Sequence, residues 1–385
     1  MNTNRLAQTC KLWGRIKYLH PYLAYRDIDW DAALVNALPK IMASSDAQSY
    51  AKAVGEMLEV LRDPATRVER NSTESESDAA PVTSSLNDDG ILLVKLNMGL
   101  PWTQFERVMQ ALGHVNEQLQ NAQAIIFDLR HNGNNLARSF DFEFMDSGLA
   151  PMLCSQEVYA PGRRYRMHQG FKDQSGSSYY TASFVTTDGQ RFWTGQNPTK
   201  RSIVFVVNSR SSLPSVALAL QDAGLAAIVA EGSIGDESAV TAERIDLEEG
   251  FCAHFRVEEL IYTDGTGGVR ANLTVEKSDA SDTEDTALEA AFKLARDFKP
   301  AATERSRIPA QGRQQIDNAH PEMTFPNLEY RLLALFRAWN VFEIFFPYKD
   351  LMDRDWRDVL LRLRGRLKPS PSGEGFSSMP CQAVL

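Results

Sequence analysis

The amino-acid sequence predicts an α/β protein with three parts: a helical head, a sheet domain with crossover helices, and the start of a second head. Three observations predict this order. In the first part, apolar residues recur at spacings of three and four, which is typical of amphipathic helices. From Ile91 onwards, short and strongly apolar runs alternate with helical patterns. A motif near the beginning then returns near the end of the chain.

The head is predicted to span residues 1–69. Its segments AALVNALPKIM and YAKAVGEMLEVLRD carry apolar side chains at helical spacing. The following residues, 70–89, are polar and acidic and contain many serines and aspartates. This composition is typical of a flexible linker. We therefore expect a helical unit that is joined to the rest of the chain by an acidic linker.

Residues 90–298 are predicted to form an α/β core. The runs ILLVKLN, AIIFDLR, IVFVVN and AAIVAEG resemble strands that are buried on both faces, and helical patterns lie between them. Strands that alternate with helices predict crossover connections and a largely parallel sheet. Residues 140–200 have no clear period, and we expect them to leave the sheet as a long insertion.

An internal repeat follows the core. LWGRIKYLHPYLAYRDIDWDAAL begins at Leu12, and AWNVFEIFFPYKDLMDRDWRDVL begins at Ala338, with a constant offset of 326 residues (338 − 12). The matching pairs are Trp13 and Trp339, Pro21 and Pro347, Tyr22 and Tyr348, Asp29 and Asp355, and Trp30 and Trp356. We therefore expect a proline-containing linker at 299–325, a truncated repeat of the helical head at 326–368, and a disordered tail at 369–385.

Composition excludes several classes of function. The net charge of −9 argues against a nucleic-acid partner. The sequence contains no run of 18 apolar residues, so we expect no membrane-spanning helix. The four cysteines are widely scattered, without the spacing of a metal site, and we expect no metal and no cofactor. The first residues lack the apolar stretch of a signal peptide, so we expect a cytoplasmic protein, or an exported one whose leader has been removed. The oligomeric state is not predicted.

A serine-rich turn is the first candidate site. In VFVVNSRSSLPSVALALQDAG, residues 204–224, an apolar strand ends at a turn that contains Ser211 and Ser212, and a helical run follows. A turn from strand to helix can expose a nucleophile beside free backbone N–H groups that stabilise an oxyanion. The alternative is that a serine of the turn caps the helix, with Pro214 in its first turn.

A polar loop is the second candidate site. AIIFDLRHNGNN, residues 124–135, places Asp128, Arg130 and Asn132 after a buried strand, in a loop with Gly133. Such a loop could present backbone N–H groups towards a neighbouring turn. The alternative is a structural pair of Asp128 and Arg130 followed by an ordinary turn.

Together these motifs resemble the carboxyl-terminal-processing, or tail-specific, serine peptidases, which are related to the tricorn core protease. The resemblance rests on the order of LWGRIKYLHPYLA, LRDPATRV, FDLRHNGN and LQDAG followed by AAIVAEGSIG. It covers residues 5 to 298, and the head motif returns at 330–363. It implies the spiral crotonase-like fold of the Clp protease and cleavage of peptides near their C-termini. The peptide-binding PDZ module of many members is absent, since only the linker occupies its place.

The sequence departs from this family where the family places its catalytic bases. Ala65 stands where tricorn-like members have a histidine, and Asp236 follows Gly235 where the lysine-dyad branch has a lysine. The family spacing counted back from Gln221 reaches Ser211, whereas the spacing counted forward from the strand reaches Leu213. We therefore expect an altered active site.

Three functions fit these residues. In the first, the chain is a serine peptidase: Ser211 is the preferred nucleophile, Ser212 is the second choice, and His131 is the best-placed remaining base. Asn132 and Gly133 would then supply the oxyanion hole. In the second, the chain is a non-catalytic descendant that binds a peptide or an apolar ligand, because a serine without a general base is a poor nucleophile. In the third, the chain is an acyl-transfer or cyclisation enzyme of a biosynthetic pathway. The sequence leaves open whether the chain is an enzyme.

Overall fold

A computed structural model of the chain describes most of its residues. These are residues 3–71, 82–96, 105–130, 148–172, 175–176, 178–195, 200–277, 285–301, 303–313, 317–318, 320–352 and 356. Residues 72–81 of the predicted acidic linker, and the whole of the predicted tail at 369–385, lie outside this part of the chain.

The described elements alternate between helices and strands. The helices are α1 (Thr3–Leu19), α2 (Trp30–Ala43), α3 (Ala47–Leu58), α4 (Phe105–Leu119), α5 (Ala150–Leu153), α6 (Ser215–Asp222), α7 (Thr286–Arg296) and α8 (Leu328–Phe345). The strands are β1 (Arg67–Arg70), β2 (Val82–Leu86), β3 (Ile91–Leu96), β4 (Ala124–Asp128), β5 (Val158–Tyr159), β6 (Gly162–Lys172), β7 (Ser178–Thr187), β8 (Arg191–Phe192), β9 (Ser202–Asn208), β10 (Ala226–Glu231), β11 (Ala242–Asp246), β12 (Phe251–Arg256), β13 (Glu258–Ile261), β14 (Thr266–Gly267), β15 (Leu273–Val275) and β16 (Ser306–Arg307). The predicted mixed α/β class with N-terminal helices is therefore confirmed.

The main sheet has six strands in the order β15-β10-β9-β4-β3-β2. All neighbouring pairs are parallel except β2 with β3. Helix α6 packs on one face of the sheet, and α7 covers the other face through Ala287, Ala291 and Ala295. Both faces are buried, which explains the continuous apolar runs of the central strands. The edge strand β2 lies inside residues 70–89, so the prediction of a linker was wrong for this part.

Two antiparallel sheets connect the core to the helical head. Strand β1 follows the head directly and pairs with β12, which also pairs with β11. Ala253 and Phe255 of β12 belong to the apolar cluster of the head. In the second sheet, β6 and β7 form a long hairpin within the insertion 140–200, and β6 also pairs with β13. The core thus reaches the head through β12 and through the hairpin.

The two copies of the repeated motif make the same tryptophan contacts. Trp13 and Trp30 each donate an indole N–H to the other's backbone carbonyl, at 3.2 and 3.0 Å. Trp339 and Trp356 make the same reciprocal pair of bonds, both at 3.3 Å. Helix α8 therefore has the same tryptophan contacts as α1. These reciprocal indole-to-carbonyl bonds depend on the matching tryptophans and not on helix propensity alone.

Helix α8 packs directly on α1. Asn340, which corresponds to Gly14 in the repeat (340 − 326), is fully buried and donates from Nδ2 to the backbone carbonyl of Cys10 at 3.0 Å. A Cβ atom at Gly14 would lie 1.9 Å from Oδ1 of Asn340. Close approach of the two helices therefore requires a glycine at this position. Among the described residues, no helix is long and apolar enough to cross a membrane.

We predict that Gly14→Ala weakens the docking of α8, although alanine favours an isolated helix by up to about 1 kcal/mol over glycine. The added methyl group forces the Asn340 amide away from its carbonyl partners, and we expect a loss of about 1–3 kcal/mol of unfolding free energy. Chemical denaturation and limited proteolysis of α8 measure the effect. Gly55→Ala in α3 is the matched control, because nothing lies within 4 Å of its Cβ position. Equal stability of the two variants would contradict close packing of α8 on Gly14.

Candidate active site

The two candidate loops meet at one edge of the main sheet. Because β4, β9 and β10 run parallel, the chain leaves all three at the same edge. The polar loop follows Asp128, the serine turn follows Asn208, and a third loop follows Glu231. This edge is where ligands commonly bind in parallel sheets.

The hydroxyl group of Ser211 is part of the backbone structure of the turn. It donates to the carbonyl oxygen of Leu129 at 2.8 Å and accepts a hydrogen bond from the Asn208 N–H at 2.9 Å. Ser211 is only 3% exposed. Helix α6 has Pro214 as its N-cap, with no side-chain capping bond, so the alternative that a turn serine caps this helix was wrong. Ser211 instead fastens the serine turn to the polar loop.

The two residues that follow Ser211 are buried as well. Ser212 is 8% exposed, and Leu213, the alternative position from family spacing, is fully buried. The backbone N–H of Leu213 donates to the Ser238 carbonyl at 2.7 Å, which ties the serine turn to the loop after β10. The three loops of this sheet edge are therefore bonded to one another.

The polar loop is described as far as Arg130. The guanidinium group of Arg130 contacts Asp128 at 2.9 Å and Asp285 at 2.7 Å. Asp128 and Arg130 therefore form a structural ion pair, as the alternative interpretation of this loop predicts. The candidate residues His131, Asn132 and Gly133 lie outside the described residues.

A buried network of charges lies beside Ala65 and includes Asp236, the two positions at which the resemblance predicts an altered site. Ala65 is fully buried, and Asp63 beside it accepts from Arg256 Nη2 at 2.7 Å and from Nε at 3.0 Å. Arg256 also donates to both carboxylate oxygens of Asp236, at 2.7 and 2.8 Å. The guanidinium group lies 4.8 Å from the ring centre of Tyr22, a residue of the head motif. The head, β12 and the loop after β10 thus meet at one arginine.

His20 completes this network. Its Nδ1 accepts the Tyr22 N–H at 3.2 Å, so the proton of the neutral ring lies on Nε2, which is 3.2 Å from Asp63 Oδ2 and from Thr66 Oγ1. Burial lowers the pKa of His20, although the hydrogen bond to Asp63 opposes this shift. Burial tends to raise the pKa of Asp63, but the hydrogen bond from His20 and the charge and hydrogen bonds of Arg256 hold it well below its ordinary value. The sequence alone favours a packing role for His20, because the repeat has Phe346 at that position, and it gives no sign of these polar partners.

The other described histidines with side-chain bonds lie elsewhere in the fold. His168 bonds to the Tyr18 carbonyl and to Tyr180, His254 lies beside Cys252, and His320 bonds to Glu322. No group of three or more metal-ligating side chains lies together in the described ranges. The described part of this edge therefore consists of hydroxyl, amide and ion-pair contacts.

Comparison with solved structures identifies a relative in fold. A candidate peptidase from Parabacteroides merdae matches with a TM-score of 0.50 and 14% identity, over 79% of this chain and 100% of that chain. The two proteins share a fold. A lipoprotein from Streptococcus agalactiae matches with a TM-score of 0.44 and 12% identity (78% and 98% of the chains). The photosystem II D1 C-terminal processing protease matches with a TM-score of 0.41 and 13% identity (77% and 98%). No protein-family model and no curated protein sequence matches the chain.

We predict that Asp63→Asn strongly destabilises the protein. The substitution removes one of the two carboxylates that neutralise the fully buried Arg256, and breaking a buried ion pair in this way costs about 3–5 kcal/mol. Urea denaturation measures the loss. Asp246→Asn is the control, since Asp246 pairs with Arg244 at the surface, where such pairs contribute less than about 1 kcal/mol. Similar losses in both variants would contradict a structural role for the buried pair.

We also predict that stability falls as the pH is lowered from 8 to 5. The unfolded chain protonates its histidine below the ordinary pKa of 6.5, whereas folded His20 stays neutral because burial lowers its pKa. The unfolded state therefore binds more protons in this range. Below an ordinary pKa of 3.8, Asp63 adds a further loss for the same reason. Urea denaturation at several pH values should show a shallower pH dependence for His20→Gln between pH 7 and 5. Parallel curves for the two proteins would exclude His20 as the source.

Proposed function

We propose that this chain is a peptidase-fold protein that binds a peptide-like ligand without cleaving it. One observation carries the proposal: the Ser211 hydroxyl is buried and donates its hydrogen to the Leu129 carbonyl. A carbonyl oxygen accepts a hydrogen bond but does not remove the proton, which a nucleophilic serine requires. The relative in fold is itself a candidate peptidase, which supports a peptide as the class of ligand.

The replaced bases support the same proposal. Ala65 has no group that takes a proton, and both carboxylate oxygens of Asp236 are engaged by Arg256. Loss of general base catalysis lowers a rate by about 10²–10⁴-fold. A serine that is also withdrawn from solvent loses access to the substrate. Together these effects favour binding over hydrolysis.

A serine peptidase that uses His131 is the second candidate. Ser211 contacts the carbonyl of Leu129, and His131 follows two residues later in the sequence. This short separation favours His131 over the other histidines as a base. Asn132 and Gly133 would then contribute N–H groups to the oxyanion hole.

We expect that a fluorophosphonate probe does not label the folded protein, because the serine lacks an activating base. Intact-mass spectrometry measures the labelling, and Ser211→Ala, Ser212→Ala and His131→Ala are tested in parallel. Stoichiometric labelling that disappears in Ser211→Ala or Ser212→Ala and weakens in His131→Ala would establish the peptidase instead.

We further expect Ser211→Ala to lower the unfolding free energy by about 1–3 kcal/mol. The substitution leaves the Asn208 N–H and the Leu129 carbonyl without this partner inside the protein. Ser209→Ala is the matched control within the same turn, since Ser209 is exposed and such surface changes stay within about 0.5 kcal/mol. Thermal or urea denaturation compares the two variants. An unchanged stability of Ser211→Ala would show that its hydroxyl is not structural.

A further inference from the structure

A cleft of about 670 Å³ lies where the end of α1 meets the β6–β7 hairpin and α8. None of its lining residues belongs to the serine turn. Val341 and Phe345 of α8 form one wall, so the repeated helix completes the cleft. The corresponding head residues are Arg15 and Leu19 (341 − 326 and 345 − 326), so this wall is more apolar in the repeat.

Arg166 lines the cleft as a half-buried cation, and no carboxylate pairs with it among the described residues. Its Nη1 donates to the backbone carbonyls of Lys17, at 2.6 Å, and His20, at 3.4 Å, near the C-terminal end of α1. Its Nε is buried and has no hydrogen-bond partner in the described part of the chain. Burial lowers the pKa of Arg166 to about 10. A guanidinium group in this position is incompletely compensated.

The neighbouring charges do not compensate Arg166. Lys17 Nζ lies 2.9 Å from Asp31 and 2.7 Å from Asp317. Arg337 contacts the same two carboxylates. Lys17 and Arg337 are thus balanced by the two carboxylates, and Arg166, which contacts neither carboxylate, leaves one positive charge. A ligand with one negative charge balances this cluster, whereas a dianion would be repelled by Asp317.

The remaining polar groups of the cleft are neutral and aromatic. His168 donates from Nε2 to the Tyr18 carbonyl, and its Nδ1 contacts the Tyr180 hydroxyl. Burial lowers the pKa of His168, which favours the neutral ring, and Nδ1 then accepts from that hydroxyl. The rings of His168 and Tyr180 stack at 5.9 Å, and Phe345 lies edge-on at 5.8 Å from His168. Tyr180 is 42% exposed and Phe345 is 40% exposed. These rings offer an apolar surface beside the cation.

We propose that this cleft binds a monocarboxylate that has an apolar or aromatic body. The carboxylate pairs with the guanidinium group of Arg166, and the body packs against Phe345, Val341 and Tyr180. The inference rests on the proposed function and names its ligand class and its site. Both the C-terminal carboxylate of a peptide and a small carboxylic acid have this chemistry.

The experiment compares free acids with their amides on the full-length protein. One arm uses pooled N-acetyl tripeptides with a free C-terminus against the same pool amidated, and the other uses 3-phenylpropionate against 3-phenylpropionamide. Saturation-transfer NMR and calorimetry measure binding. We expect the acids to bind at least about tenfold more tightly than the amides, because only the acids form the charged pair. If only the tripeptides bind more tightly as acids than as amides, the ligand is a peptide C-terminus. If 3-phenylpropionate also shows this preference, or is alone in showing it, the ligand is a small carboxylic acid. Equal binding of acids and amides, or no binding of either, overturns the proposal.

Variants separate binding from the support that Arg166 gives to α1. Arg166→Met should abolish the preference for acids, whereas Arg191→Met, at an exposed pair with Glu157, should leave it unchanged. Phe345→Ala should weaken the binding of acids and of amides by the same factor, so that the ratio of their affinities stays unchanged. If Arg166→Met unfolds, the acid–amide comparison in the native protein and in Phe345→Ala still decides the question. Cleavage of the tripeptides would contradict the proposed function while the acid–amide difference stays measurable, so the two failures are distinguishable.

Discussion

Arg256 holds two carboxylates at once in the interior, Asp63 from the end of the head and Asp236 from the loop after β10. The Arg256 side chain is fully buried, so water screens its two ion pairs only weakly. The cost of removing the three charged groups from water must therefore be offset by the ion pairs and hydrogen bonds among them. Removing one member leaves the others uncompensated. The relative position of the head and the sheet domain depends on this cluster, because its members come from three separate parts of the chain.

The same cluster also engages the polar groups of a loop at the edge of the main sheet where β4, β9 and β10 end. Tyr22 lies against Arg256, and His20 bonds to Asp63, so two residues of the head motif help to position the charged side chains. The loop that contains Asp236 also receives the N–H of Leu213 from the serine turn. Charges that hold a fold together in this way have their lone pairs and protons engaged, which removes them from proton transfer. This arrangement is consistent with the proposal that the chain binds its ligand without cleaving it.

Much of the architecture could be predicted because the signals were local. The apolar runs around Phe127 and Phe205 predicted the central parallel strands, and the tryptophans of the repeat predicted that α8 copies α1. Strand β2 and the β6–β7 hairpin were missed because polar and apolar residues are mixed along them, so these strands lack long apolar runs. Their position depends on pairing with distant partners rather than on their own composition.

The candidate site was predictable only in part. The resemblance predicted an altered site at Ala65 and Asp236, and the sequence predicted that the polar loop lies near a neighbouring turn. It could not indicate that Arg256 bridges the two regions, because that arginine lies 193 residues from Asp63 in sequence. The engagement of the Ser211 hydroxyl was hidden for the same reason, since its acceptor, Leu129, is 82 residues away.

A carbon-13 NMR titration of the Asp63 carboxyl group tests the structural role of the charge cluster most directly. If that role is correct, Asp63 stays ionised from neutral pH down to the acid unfolding of the protein, because His20 and Arg256 hold its pKa well below the ordinary range. Its resonance should then show no titration step while the protein is folded. Uptake of a proton by Asp63 near neutral pH would mean that the cluster exchanges protons at working pH, and a purely structural role would be contradicted.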